Sequence, residues 1–180
     1  MGFRGRTRPV LRLFAFMLGL LIVGVAAAAQ AQATGRAQLK DAQGRIVGTA
    51  TLSEDSTGVR IVLRVTGLKP GEHGFHVHTI GKCEPPDFAS AGGHFNPAGK
   101  KHGLNNPEGP HAGDLPNLRV GPDGIGSADA TDARVTLKDG PTSLFQSAGT
   151  ALIIHADPDD GKSDPAGKAG ARVACGVIER

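Results

Sequence analysis

His73, His76, His78, His94, His102, His111 and His155 are the residues of this chain whose type and spacing can do chemistry. His76 and His78 are two apart in Phe75-His76-Val77-His78, so on a β-strand both imidazoles leave the same face and form a two-nitrogen chelate. An isolated pair of this kind is more often two surface histidines, and its neighbours must decide. His94 lies in Gly92-Gly93-His94-Phe95-Asn96-Pro97, His102 follows eight positions later, and His111 and Asp114 come after it. Three imidazoles and one carboxylate make a closed tetrahedral set of the kind zinc accepts, although the spacing alone is not diagnostic and each residue taken singly also fits a solvated loop. His155 ends the apolar run Ala151-Leu152-Ile153-Ile154, where it either caps the core or adds a further imidazole for copper.

The elements that must position these side chains are short runs of period two between turn signals, which predicts β-structure. Val59, Ile61, Leu63 and Val65 alternate with Arg60, Val62 and Arg64, so one face is buried and the other largely wet. Similar runs lie at 36–40, 46–52, 73–78, 125–130, 133–137, 150–156 and 172–178, giving about eight strands. Turn chemistry separates them at Asp41-Ala42-Gln43-Gly44, Pro122-Asp123-Gly124 and Lys138-Asp139-Gly140-Pro141. No stretch sustains a helical period, so the expected class is all-β, an antiparallel sandwich or barrel. Two connections, 79–113 and 157–171, are too long for hairpins. Loops of that length are usually functional or disordered. The first carries three of the histidines and a cysteine, and is expected to be ordered by metal and disulfide rather than by a core of its own.

Not all of the chain belongs to that domain. Arg4, Arg6, Arg8 and Arg12 form a basic front, an apolar run follows, and Ala31-Gln32-Ala33 fits a small-x-small cleavage site. Residues 1–33 therefore read as a secretory signal peptide, with a mature domain at 34–180. The alternative, an uncleaved membrane anchor, is disfavoured by a run at the short limit for spanning, followed by a cleavage site. Removing the segment takes four of 20 basic residues and none of 17 acidic ones, leaving 16 against 17, a net of −1. The overall basicity is thus no argument for nucleic acid, and no stable membrane association is expected after cleavage. Cys83 and Cys175, in an oxidising compartment, are most simply one disulfide. Closing a loop over 92 positions stabilises by roughly 4 to 5 kcal/mol in the chain-entropy account.

The series GFHVH at 74–78, GGHFNP at 92–97, HAGDL at 111–115, IIHADPDD at 153–160 and RVACGVI at 172–178 resembles the copper-zinc superoxide dismutases over nearly the whole mature chain. The resemblance implies an eight-stranded antiparallel Greek-key β-barrel or sandwich with two long functional loops. It also implies copper held by His76, His78, His94 and His155, and zinc held by His94, His102, His111 and Asp114, with His94 bridging the two ions. By the same resemblance, Arg172 orients the anion beside copper, and Asp159 receives hydrogen bonds from one histidine of each metal. His73 has a structural role, and Cys83 with Cys175 is the intrasubunit disulfide. The implied reaction is dismutation of superoxide to dioxygen and hydrogen peroxide by alternate reduction and reoxidation of copper, with His94 delivering one proton. Lys162 and Lys168 either help to steer the anion or are solvated loop charges.

Four other readings are open to test. A copper-only dismutase is disfavoured by the intact His102, His111 and Asp114. A noncatalytic copper carrier on the same fold is disfavoured by the full copper set and Arg172, and a zinc hydrolase by the lack of an open zinc position. A purely structural extracellular β-domain leaves the histidines unexplained. The expected compartment is exported, periplasmic rather than extracellular, and the expected partners are superoxide and, in a possible homodimer, a second copy.

Overall fold

The computed structural model describes residues 1–2 and 34–180. The signal-peptide reading of 1–33 falls almost entirely outside the described residues. The described residues form nine strands: β1 Thr34–Asp41, β2 Ile46–Asp55, β3 Gly58–Val65, β4 Gly71–His73, β5 Phe75–His78, β6 Leu118–Val120, β7 Gly126–Asp132, β8 Ala151–His155 and β9 Arg172–Val177. Their order across the sheet is β4-β6-β7-β3-β2-β1-β9-β8-β5, and every pairing is antiparallel. Only Gly74 separates β4 from β5, the two end strands. One continuous segment therefore closes the sheet into a barrel, and the chain crosses between non-neighbouring strands from β3 to β4 and from β7 to β8, as a Greek key does.

Alternation positions the core as the sequence predicts. In β3, Val59, Ile61, Leu63 and Val65 are fully buried while Arg60 and Arg64 face solvent, and β1 alternates in the same way. β2 breaks parity because its register with β1 shifts between Leu39 and Lys40, which turns both Val47 and Ala50 inward. β5 and β8 behave differently, being buried along their whole length. Their inward residues, Phe75, Val77, Leu152 and Ile154, join the barrel core. Outward-facing Ala151 and Ile153 pack instead with Phe88, Ala91 and the Cys83–Cys175 disulfide in a second, smaller cluster on the outside of the barrel.

Two assignments from the sequence need correction. The expected strand 133–137 is not one: Val135 and Leu137 are buried as alternation requires, yet the backbone there pairs with its own loop and with Glu54. Its Leu137 N–H donates to the Glu54 carboxylate at 2.7 Å, a bond that replaces a ladder partner. The missing barrel strand is β6, whose three residues bury Leu118 and Val120 but are too few to carry a visible period. The predicted 73–78 strand is present but divided at Gly74 between two sheet edges.

Candidate metal centre

The centre lies outside the barrel wall, where the loop 79–117 and the loop 156–171 fold over β5 and β8. His76 and His78 leave β5 on the face opposite Phe75 and Val77, and both are buried because loop covers them. The loop is stitched to β5 by backbone: Val77 N–H donates to Gly113 O at 2.9 Å, Phe95 N–H to Val77 O at 2.8 Å, and Gly113 N–H to Phe95 O at 2.8 Å. A Cβ on Gly113 would collide with Val77 O, so only glycine lets His111 and Asp114 approach the strand this closely. Bridges pair His78 with His94 and His76 with Asp114. His155 follows a register shift at the end of β8, and its N–H donates to Gly74 O at 2.8 Å.

Two four-residue clusters result, sharing His94. Donor atoms of His76, His78, His94 and His155 all lie within 4.8 Å of one another, and so do those of His94, His102, His111 and Asp114. In the first cluster, His76 Nδ1, His78 Nε2, His94 Nε2 and His155 Nε2 are buried with no hydrogen-bond partner among the described residues. The opposite nitrogens of these rings are committed. His76 Nε2 donates to Asp159 Oδ2 at 2.7 Å, His78 Nδ1 to Gly92 O at 2.9 Å, and His155 Nδ1 to Gly170 O at 3.2 Å. Buried polar atoms are rarely left orphaned, and four converging imidazole lone pairs fit a copper ion. Burial pushes His76 down to about 3, His78 to about 2 and His155 to about 4, so all three rings are neutral, the state in which imidazole binds metal.

The second cluster is built around charge. Asp114 Oδ1 lies 2.9 Å from His94 Nδ1, 3.0 Å from His102 Nδ1 and 3.3 Å from His111 Nδ1. Its Oδ2 accepts the backbone N–H groups of Gly103 at 2.8 Å and His111 at 2.9 Å. Burial opposes charge on Asp114, but the bonds from His102, His94 and Gly103 outweigh it and hold the carboxyl well below its usual range. Burial likewise opposes protonation of His102, yet Asp114 on one side and Asp159 on the other push it up to about 9. Three imidazole nitrogens around one ionised carboxylate fit zinc, which would take the position that protons share here.

Asp159 links the clusters, accepting from His76 Nε2 at 2.7 Å through one oxygen and from His102 Nε2 at 3.0 Å through the other. It is itself held by reciprocal bonds with Asn117: Asp159 N–H donates to Asn117 Oδ1 and Asn117 Nδ2 to Asp159 O, each at 2.9 Å. Gly167, at φ +60°, leaves the space into which that carboxylate reaches. The Arg172 guanidinium donates to Phe88 O and Gly92 O, both at 2.6 Å, and lines an open depression with Pro86, Asp87 and Gly170. Gly92 O thus accepts from both Arg172 and His78. His73 holds the β4–β5 segment by contacts from Nδ1 to His155 O at 2.7 Å and from Nε2 to Lys69 O at 2.8 Å.

Every site residue expected from the sequence is at this centre, with Cys83 and Cys175 bonded to each other beside it, their Cα atoms 5.6 Å apart. Lys168 pairs with Asp160 at 3.7 Å, while Lys162 is exposed. Sequence reasoning missed Asn117 and Arg134, whose guanidinium donates to Asp114 O at 2.6 Å and to Asp132 at 2.7 Å. Neither lies in a recognisable motif, and each grips backbone atoms far from it in sequence, Asn117 at Asp159 and Arg134 at Asp114.

Residues 46–178 match the sequence profile of copper/zinc superoxide dismutase. The chain is 55% identical over 144 residues to superoxide dismutase [Cu-Zn] 2 of Aquifex aeolicus, covering 79% of this chain and 84% of that protein. It is 43% identical over 146 residues to superoxide dismutase [Cu-Zn] of Caulobacter vibrioides, covering 79% and 84% respectively. The crystal structure of a SOD-like protein from Bacillus subtilis superposes with a TM-score of 0.76 at 42% identity, covering 79% of this chain and 96% of that one.

Proposed function

The chain belongs to the copper/zinc superoxide dismutase family, and from that premise we propose how its residues divide the work and where the enzyme operates. It dismutes superoxide to dioxygen and hydrogen peroxide, with copper and zinc as its metals. His76, His78, His94 and His155 hold copper, and His94, His102, His111 and Asp114 hold zinc. The observation that carries this division is the set of four buried, unpartnered imidazole nitrogens, one of them on the ring whose other nitrogen faces the carboxylate-centred set. Bound copper supplies one-electron chemistry, by which one superoxide is oxidised to dioxygen and a second, with two protons, is reduced to hydrogen peroxide.

The chain's own residues supply binding, orientation and protons. Arg172 offers a fixed positive charge to a small anion entering the depression, because its guanidinium is held by two carbonyls. His94 Nε2 has no competing acceptor among the described residues, so a proton on that atom is available to the developing peroxide. Asp159 fixes the tautomers of His76 and His102, keeping the metal-facing nitrogens free of protons. The disulfide and the small cluster around Phe88 hold the segment that carries Phe88 O and Gly92 O, and so position Arg172.

Residues 1–33 are the export signal and the periplasm is the compartment, a reading supported by the arginine-led apolar segment and by the disulfide. The enzyme acts on superoxide alone, without nucleic acid or a membrane anchor, as a monomer or a homodimer that sedimentation will distinguish. The decisive experiment measures superoxide dismutation and metal content together in the purified mature protein and in His155→Ala. Rapid turnover with about one copper and one zinc per chain, lost in the variant, is the expected result. Full copper occupancy without turnover would move the protein to the copper carriers. Mass analysis of the periplasmic protein should give a chain beginning at Thr34, and retention of the leader would overturn the export reading.

A further inference from the structure

The zinc-side rings differ in what holds their far nitrogens. His94 turns Nε2 toward the copper set, and His102 directs Nε2 to Asp159 at 3.0 Å. His111 has neither arrangement. The carboxylate opposite its Nε2 is Asp164, whose Oδ1 stands 3.9 Å away. That carboxylate is anchored: the same Oδ1 accepts the His102 backbone N–H at 2.7 Å, and Oδ2 faces Lys101 Nζ at 3.9 Å. The peptide of His102 is gripped on its other side too, where Asn106 Nδ2 donates to His102 O at 2.9 Å and reaches Lys162 O at 3.3 Å. Asn105 N–H donates to Gly161 O at 2.9 Å, so the 156–171 loop is sewn along the zinc-side loop at the level of Asp164.

We infer that Asp164 is a positioning residue for zinc: it fixes the backbone of His102 and sets its negative charge against the far nitrogen of His111. A neutral imidazole that binds metal through Nδ1 carries its proton on Nε2 and points that N–H outward, and an anion placed there raises the basicity of the ligating nitrogen. Asp159 and Asp164 then divide the task, one serving His102 and the other His111, both from the loop that follows His155. Half-exposure of the Asp164 side chain weakens its charge by solvent screening, which puts the effect at the lower end for outer carboxylates. The inference rests on the zinc assignment above, and its test separates the two.

In copper- and zinc-loaded protein, zinc transfer to a competing chelator is followed at fixed pH and salt, with copper measured in the same samples. Asp164→Asn keeps an acceptor for His102 N–H but removes the charge, and should shift zinc transfer about tenfold while leaving copper retention within about twofold. Asp164→Ala loses both contacts and should shift it further. In the zinc-loaded, copper(I) form, the His111 Nε2–H proton should exchange with water faster in Asp164→Asn. Unchanged zinc transfer and exchange in Asp164→Asn would overturn the role, even if Asp164→Ala released zinc, because backbone anchoring alone would then suffice. Absence of zinc from the wild-type protein would overturn the zinc assignment itself.

Discussion

The two halves of the metal centre are built from different material. On the proposed copper side, three of the four histidines stand at strand positions on β5 and β8, with the barrel core directly beneath them. Burial keeps those imidazoles neutral, and hydrogen bonds fix their far nitrogens. On the proposed zinc side all four residues lie in the loop between β5 and β6, and the organising element is an ionised carboxylate with protons shared around it. The copper set is a pocket that the fold preorganises. The zinc set is a group of charges that holds its loop in place most firmly when a cation is there. His94 belongs to both sets, so the rigidity of one is transmitted to the other through a single ring.

The largest expected effect separates the halves directly. His155→Ala should cut turnover by at least about a hundredfold while zinc stays bound, whereas His111→Ala should release zinc and leave copper bound with a smaller loss of turnover. Metal analysis beside the activity assay reads this asymmetry, and equal loss of both metals in both variants would break it. Next is Cys83→Ala, which unties the loop carrying Phe88 and Gly92 from β9 and should cost about 2 to 5 kcal/mol by denaturant unfolding. It should also lower turnover more at low salt than at high salt, because Arg172 loses its fixed place. A stability loss with no change in the salt dependence would detach Arg172 from the disulfide. Third is Asp159→Asn. Because Asp159 bonds a ring in each half, its loss should weaken both metals, by about tenfold to a hundredfold. Weakening of only one would show that the halves are tuned separately.

Legibility in the sequence follows the same division. The strands under the copper half show as period two because one face is dry and the other wet, as Val59, Ile61, Leu63 and Val65 illustrate. The proposed ligands are legible by residue type and order: four short motifs hold six of the seven, and His102 stands between two of those motifs. What escaped notice depends on tertiary partners. Leu118–Val120 is too short for a period, and 133–137 has the burial of a strand without its hydrogen bonds. Asn117, Arg134 and Asp164 touch backbone atoms or rings brought near only by folding. No local pattern encodes such contacts.

The smallest effect lies away from the metals, on the barrel, and uses Glu54 as a reference against the charge-built zinc half. Glu54, next to last in β2, gathers the segment misread as a strand: Leu137 N–H at 2.7 Å, Thr136 Oγ1 at 2.8 Å and Lys138 Nζ at 3.5 Å. Partial burial works against its charge, but these partners outweigh it and lower its pKa below the ordinary glutamate value. A carboxylate with a lowered folded-state pKa adds stability that is full above the unfolded-state value and fades as pH falls through the folded one. Wild type should therefore exceed Glu54→Gln by about 1 kcal/mol at neutral pH. The difference should stay level down to the unfolded glutamate pKa near 4.3 and then shrink toward nothing in acid. Denaturant midpoints of the two proteins, measured at matched metal loading across that range, give this difference directly, because acid release of metal affects both alike. A gap that persists in acid would mean that Glu54 acts through shape and not through charge.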